Sequence, residues 1–183
     1  MTASTAAKRP VILLVDDDPH DVVLIRLAFR KVGIIDTIQL VKNGAEAMRY
    51  LHGDGTYSNR NQYPMPTLML LDLKMPQASG FEVLKWIREQ PELEFLLVVV
   101  MSSSTQNSDI QSAYSLGANL YLVKPSKFSD LVKMTGSLKE FHASFLDQSG
   151  GPRTDSHGLG HVQPRHAVGF PSGAVPFRNT EGH

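Results

Sequence analysis

Between residues 11 and 146, five short apolar runs alternate with amphipathic segments, and this alternation restricts the fold more than any other feature of the chain. The runs are Val11–Val15, Ile38–Val41, Leu68–Leu71, Phe95–Met101 and Asn119–Val123. VILLV, LMLL and LLVVV show no polar alternation, which fits strands covered on both faces. The intervening segments predict helices over His20–Val32, Ala45–Leu51, Phe81–Glu89 and Asp109–Leu116. Spacing places Val23, Leu24, Leu27 and Ala28 on one face of the first helix, and Ile110, Ala113 and Tyr114 inward on the fourth. Phe128, Leu131, Val132, Thr135, Leu138, Phe141 and Phe145 mark a final helix. Gly33, Pro91 and Gly117 supply stop signals. Repeated strand–helix alternation implies right-handed crossovers and a parallel sheet with helices on both sides. The expectation is an α/β domain with a five-stranded, doubly wound parallel sheet, (βα)5, of the flavodoxin-like type.

The organisation has three parts. Residues 1–10 are a short N-terminal extension, 11–146 the folded body, and 147–183 a Gly-, Pro-, Ser- and His-rich tail that reads as disordered. Residues 54–66 form a polar connection, long for a loop inside a domain. At 183 residues the chain suits one domain of ordinary size. Eighteen basic and eighteen acidic residues cancel, which disfavours a broad electrostatic grip on nucleic acid or an acidic membrane. Cysteine is absent, so thiolate metal sites and cysteine nucleophiles are excluded. No apolar run is long enough for a membrane helix and the N-terminus lacks a secretory pattern, so the expected location is cytoplasmic. The tail histidines His157, His161, His166 and His183 lack a ligand spacing.

In a doubly wound sheet, chemistry gathers outside the carboxyl ends of the strands. The first strand delivers Asp16, Asp17 and Asp18, the third Asp72, the fourth Ser102, and the fifth Lys124 followed by Pro125. Taken alone, the acidic run before Pro19 could be a helix N-cap cluster, and Asp18 or Pro19 suits the helix start. Two carboxylates about 4 Å apart repel by roughly 4 kcal/mol at an effective dielectric of 20. Lys124 offsets one charge of the cluster, and the remainder suits a hard divalent cation with oxygen ligands, Mg²⁺. A carboxylate left free can attack phosphorus. The Ser102 hydroxyl and the Lys124 ammonium suit the equatorial oxygens of a phosphoryl group.

ILLVDDDPHD, LMLLDLKMPQASGFEVLKWIR, VVVMSSS and GANLYLVKP together resemble the receiver domain of two-component response regulators, over residues 11 to about 146. Within that family the chain looks most like the small stand-alone regulators that partner phytochrome-type histidine kinases. The points of likeness are D-x-P-x-D, the long loop with Tyr57 and Tyr63, and GANLYLVKP. The resemblance implies that Asp72 accepts a phosphoryl group from a sensor histidine kinase or a phosphotransfer protein. It implies that Asp16, Asp17, Asp72 and the backbone carbonyl of Lys74 bind Mg²⁺. Ser102 and Lys124 then bind the phosphoryl group, the Lys124–Pro125 bond is cis, and Ser102 and Tyr121 form the switch. Asp18 departs from the Asn that many relatives carry there. A homodimer through the fourth helix, fifth strand and last helix is expected by analogy.

The expected function is a single-domain response regulator in phosphorelay signalling, without catalysis beyond its own phosphorylation and slow dephosphorylation. Two alternatives come from other classes. One is a pseudo-receiver scaffold that never takes phosphate. The other is an aspartyl-phosphate phosphatase or phosphotransferase, against which Leu73 and Lys74 break the D-x-D pattern some such enzymes use. Neutral charge and the lack of an output module weigh against DNA binding.

Overall fold

The computed structural model describes residues 10–34, 38–149 and 173–176. Five strands, β1 (Ile12–Val15), β2 (Ile38–Val41), β3 (Leu68–Leu71), β4 (Leu97–Ser102) and β5 (Leu120–Val123), alternate with five helices. The helices are α1 (Pro19–Lys31), α2 (Gly44–His52), α3 (Gly80–Arg88), α4 (Asn107–Ser115) and α5 (Phe128–Ser149). The sheet is parallel throughout, in the order β2-β1-β3-β4-β5. The doubly wound expectation therefore holds. The strand order reverses between β1 and β3, so a crevice opens at their carboxyl ends.

The apolar strand runs divide between two cores because side chains alternate across a strand. Leu13, Val15, Met69, Leu71, Val98, Val100 and Tyr121 face α2, α3 and α4. Ile12, Leu14, Leu68, Leu70, Leu97, Val99, Met101 and Leu122 face α1 and α5. Each fully buried leucine contributes about 1.5–3 kcal/mol relative to exposure.

The first helix turns a different face inward from the one expected. Val22, Ile25, Ala28 and Phe29 are buried, whereas Val23, Leu24 and Leu27 are exposed at 54%, 37% and 43%. The segment VVLIRLAF is apolar nearly all round, so periodicity leaves its phase open, and packing against α5 selects it. Ile110 and Ala113 are inward on α4 as expected, with Tyr114 half-buried.

The long connection is held by its own side chains. Tyr50, Tyr57 and Tyr63 form an aromatic cluster with ring centroids 5.0–6.1 Å apart. Arg60 donates to the carbonyls of Tyr50 and Leu51 at 2.8 and 2.7 Å, satisfying the C-terminal end of α2. A short 3-10 turn occupies Gly55–Ser58.

Two boundaries differ from the expected division. The last helix continues to Ser149, beyond the expected end of the body. Within the tail, residues 173–176 are ordered against β5, where Ala174 forms an antiparallel bridge with Leu122. Two backbone groups of β5, an edge strand, are thereby engaged by an element without helix or strand periodicity of its own. Residues 1–9, most of the tail and its four histidines lie outside the described residues.

Candidate functional site

Register sets the first contact of the site. Val15 pairs with Leu71, so Asp16 and Asp72 leave neighbouring strands at the same level. The Asp72 N–H donates to Val15 O at 3.0 Å and the Asp16 N–H to Val41 O at 3.2 Å. Asp18 starts α1: its Oδ1 accepts from the His20 N–H at 2.8 Å, with Pro19 as the first helical residue. The Asp18 N–H in turn donates to Asp16 Oδ1 at 3.0 Å.

Asp16, Asp17 and Asp72 each present a carboxylate oxygen, and these oxygens all lie within 4.8 Å of one another. Asp16 is buried, Asp72 is nearly so, and Asp17 is exposed. Lys124, from the end of β5, reaches across the crevice. Its Nζ donates to Asp16 Oδ2 at 2.8 Å and lies 3.4 Å from Asp72 Oδ2. It also donates to Asp21 Oδ2 at 2.8 Å. The Leu73 N–H donates to Asp72 Oδ1 at 2.8 Å.

Burial dominates the titration of both inner acids. It pushes the Asp16 and Asp72 carboxyls above the usual carboxylate range, against the pull of Lys124. Burial works against the charged form of Lys124 as well. There the hydrogen bonds to Asp16 and Asp21 and the charge of Asp72 win, and its pKa is raised. One ammonium is thus shared among three carboxylates. The donor set is all oxygen and rich in negative charge, which fits a hard divalent cation better than a soft one.

Ser102 is fully buried at the end of β4, where its Oγ accepts from the Ser104 N–H at 3.2 Å. Its carbonyl accepts from the Lys124 N–H at 2.9 Å, tying the two strand ends together. Tyr121 lies inward with no exposed surface, and its hydroxyl donates to Ser104 O at 3.0 Å. Burial raises its pKa, with Ser102 and Ser104 as hydrogen-bonding neighbours. The Tyr121 ring is thus packed inward beside the end of β4. Ser104 Oγ donates to Asp109 Oδ2 at 2.6 Å, joining the β4 end to α4.

The Lys124–Pro125 bond is trans, which corrects the expected cis form; no peptide bond among the described residues is cis. For an X–Pro bond the trans form is favoured by about 0.5–1 kcal/mol. Lys124 reaches Asp16, Asp21 and Asp72 with that bond trans.

Sequence reasoning thus located Asp16, Asp17, Asp72 and Lys124, which the fold brings together, with Ser102 and Tyr121 beside them. It missed Asp21, although D-x-P-x-D was noted as a motif. The available signal was its place in the first turn of α1, three residues after the N-cap. It also missed the Ser104–Asp109 contact, which no spacing rule marks.

Comparison with known proteins agrees with this fold. A family model for the response regulator receiver domain matches residues 12–135. Response regulator Rcp1 of Synechocystis sp. is 36% identical over 131 residues, covering 72% of this chain and 87% of that one. The solved structure of the phosphorylated cyanobacterial phytochrome response regulator RcpA is 36% identical, with a TM-score of 0.69. The match covers 75% of this chain and 96% of that one. The Mn²⁺-bound form of Rcp1 matches with a TM-score of 0.65 at 36% identity, over 72% and 93% of the two chains. That family model spans all five strands of the sheet, and the chain belongs to the response regulator receiver family.

Proposed function

We propose that the chain is a single-domain response regulator in which Asp72 accepts a phosphoryl group from a phosphohistidine. The observation that carries this reading is the convergence at the β1–β3 crevice. Three carboxylates lie within 4.8 Å of one another, with the Lys124 ammonium 3.4 Å from Asp72. In the reaction a carboxylate oxygen of Asp72 attacks phosphorus. The P–N bond breaks, its electron pair returns to the imidazole nitrogen, and an acyl phosphate remains on Asp72.

Asp16, Asp17, Asp72 and the backbone carbonyl of Lys74 would hold Mg²⁺, which when bound neutralises the charge that builds on the phosphoryl oxygens. The relative solved with Mn²⁺ supports a divalent ion. The Leu73 N–H keeps one Asp72 oxygen occupied at 2.8 Å and so orients the other toward Lys124. Lys124 and Ser102 bind the transferred group, with Asp21 helping to hold the Lys124 ammonium in place. The charge added is close to two negative units. Because Tyr121 is inward in this structure, we infer that phosphorylation stabilises that position and rearranges α4, β5 and α5 around it. Shifting such an element from 1:99 to 99:1 takes roughly 5.5 kcal/mol of differential stabilisation.

The kinase partner is inferred to be of the phytochrome type, because the relative RcpA is a phytochrome response regulator. A homodimer through α4, β5 and α5, a face that residues 173–176 must vacate first, and a cytoplasmic location belong to the same reading. No helix among the described residues is long and apolar enough to cross a membrane.

The test is intact-mass measurement after incubation with Mg²⁺ and phosphoramidate, with Asp72→Asn and a chelated sample alongside. One added phosphoryl group, absent from both controls, is the expected result. No mass change in the wild type while a known receiver reacts in parallel would refute it and point to a scaffold that never takes phosphate.

A further inference from the structure

Residues 173–176, Gly-Ala-Val-Pro, lie against the outer edge of β5 in a geometry that the sequence of the tail does not announce. The Val175 N–H donates to Tyr121 O at 2.9 Å, and Ala174 bridges Leu122 in antiparallel register. The Tyr114 hydroxyl completes the contact. It donates to Val175 O and accepts from the Tyr121 N–H at 3.1 Å. Side chains alternate as they do in a strand. Val175 packs on the core that contains Tyr121, and Ala174 on the core that contains Leu122. Gly173 sits beside Met134 of α5, where a Cβ would meet Sδ at 3.3 Å. Pro176 carries no N–H and cannot extend the pairing.

We propose that the β5 edge, with the Tyr114 hydroxyl and the flanking faces of α4 and α5, is a strand-accepting surface. It takes an extended small–apolar–proline segment, and residues 173–176 of the same chain occupy it. Backbone hydrogen bonds to an exposed sheet edge provide affinity in this mode of recognition, and alternate side chains provide selectivity. The surface is made for one strand: Tyr121 O has one strand partner, and Tyr114 spends its donor on the tail carbonyl. A protein that adds a strand to β5, or inserts an apolar side chain beside Tyr114, must first displace the tail. If the tail is docked in about 99% of molecules, such a partner's apparent affinity falls about 100-fold. The proposal does not depend on phosphorylation of Asp72.

The test uses the full chain. Because the protein has no cysteine, Arg178→Cys gives one attachment point for a spin label. With the label on the ¹⁵N protein at low concentration, the Leu120–Val123 amide signals should broaden. Val175→Asp, which places a charge against the core, should restore them. A spin-labelled synthetic peptide of residues 170–178 added in trans should then broaden β5 in an unlabelled Val175→Asp chain and leave the unlabelled wild type unchanged. Broadening that is absent in the labelled wild type, or that persists in Val175→Asp, would overturn the proposal. So would a peptide that fails to bind the freed edge. Label on natural-abundance chains mixed with unlabelled ¹⁵N chains should give no broadening. If it does, the strand is exchanged between two copies and occupancy by the same chain is wrong.

Discussion

Gly80 opens α3 directly against the backbone that follows β3, and its replacement by alanine tests how the phosphoacceptor segment is held. A Cβ at this position would meet Asp72 O at 2.3 Å, Leu73 Cα at 2.8 Å and the Asp72 carbonyl carbon at 3.1 Å. All three are backbone atoms, so no rotamer change relieves the contact. An unstrained carbon–oxygen approach is about 3.3 Å or more, so the chain must shift by about 1 Å. The Gly80 N–H also donates to Leu73 O at 3.1 Å, and that bond moves with it. Overpacking of this kind costs about 1–3 kcal/mol, and about 2 kcal/mol is expected for Gly80→Ala. At this chain length that lowers the melting temperature by about 4–8 °C. The same shift displaces Asp72 relative to Asp16, and Mg²⁺ affinity should fall about tenfold, or about 1.4 kcal/mol. Gly136→Ala is the control. Its Cβ would meet only Val32 Cγ1, at 3.6 Å, so alanine should stabilise α5 by about 0.5–1 kcal/mol. Urea unfolding followed by the single tryptophan, Trp86, and calorimetric Mg²⁺ titration supply the two readouts. A Gly80→Ala protein within about 0.5 kcal/mol of wild type and with unchanged Mg²⁺ affinity would refute the reasoning, since changes that small are ordinary for surface substitutions.

Three further outcomes are expected. His142 is buried, its Nε2 has no hydrogen-bond partner, and burial pushes its pKa down to about 4. Its folded pKa lies below the unfolded value near 6.5, so its contribution is complete above about pH 6.5 and is lost as pH falls toward 4, by at most about 3 kcal/mol. His142→Leu should flatten the urea midpoint between those pH values, and an unchanged slope would contradict this. Arg88 donates to Gly117 O at 3.0 and 2.7 Å and to Asn119 Oδ1 at 3.0 Å, bridging α3 to the start of β5. Arg88→Met should cost about 2–4 kcal/mol in thermal unfolding, because those acceptors lose their charged donor; a cost below about 1 kcal/mol would show that water replaces it. Ser104→Ala removes the contact to Asp109 at the start of α4, where Gln106 provides no side-chain cap. Amide exchange in the first turn of α4 should accelerate about 5- to 30-fold, as for a lost cap of about 1–2 kcal/mol, and unchanged rates would remove that role.

Much of the site was legible because strand ends are legible. An apolar run followed by a polar residue marks where a buried strand meets solvent, and in a doubly wound sheet those places converge. Asp16, Asp72, Ser102 and Lys124 all follow or close such runs. Asp21 was obscured because it sits in a helix, where its direction depends on helical phase. The same ambiguity turned Val23, Leu24 and Leu27 outward against expectation. Residues 173–176 were not legible at all. Four residues carry no period, and their partner strand lies about fifty residues earlier.

The sequence by itself determined the element order, the parallel sheet and the set of strand-end residues, because these depend on local hydrophobic pattern and on crossover handedness. Tertiary structure alone decided which carboxylates share Lys124, which face of α1 is buried, why position 80 has no room for a side chain, and where the tail returns to β5. Each of these depends on distances between segments far apart in the chain. Such distances are set by packing and register across the whole domain, and no local pattern encodes them.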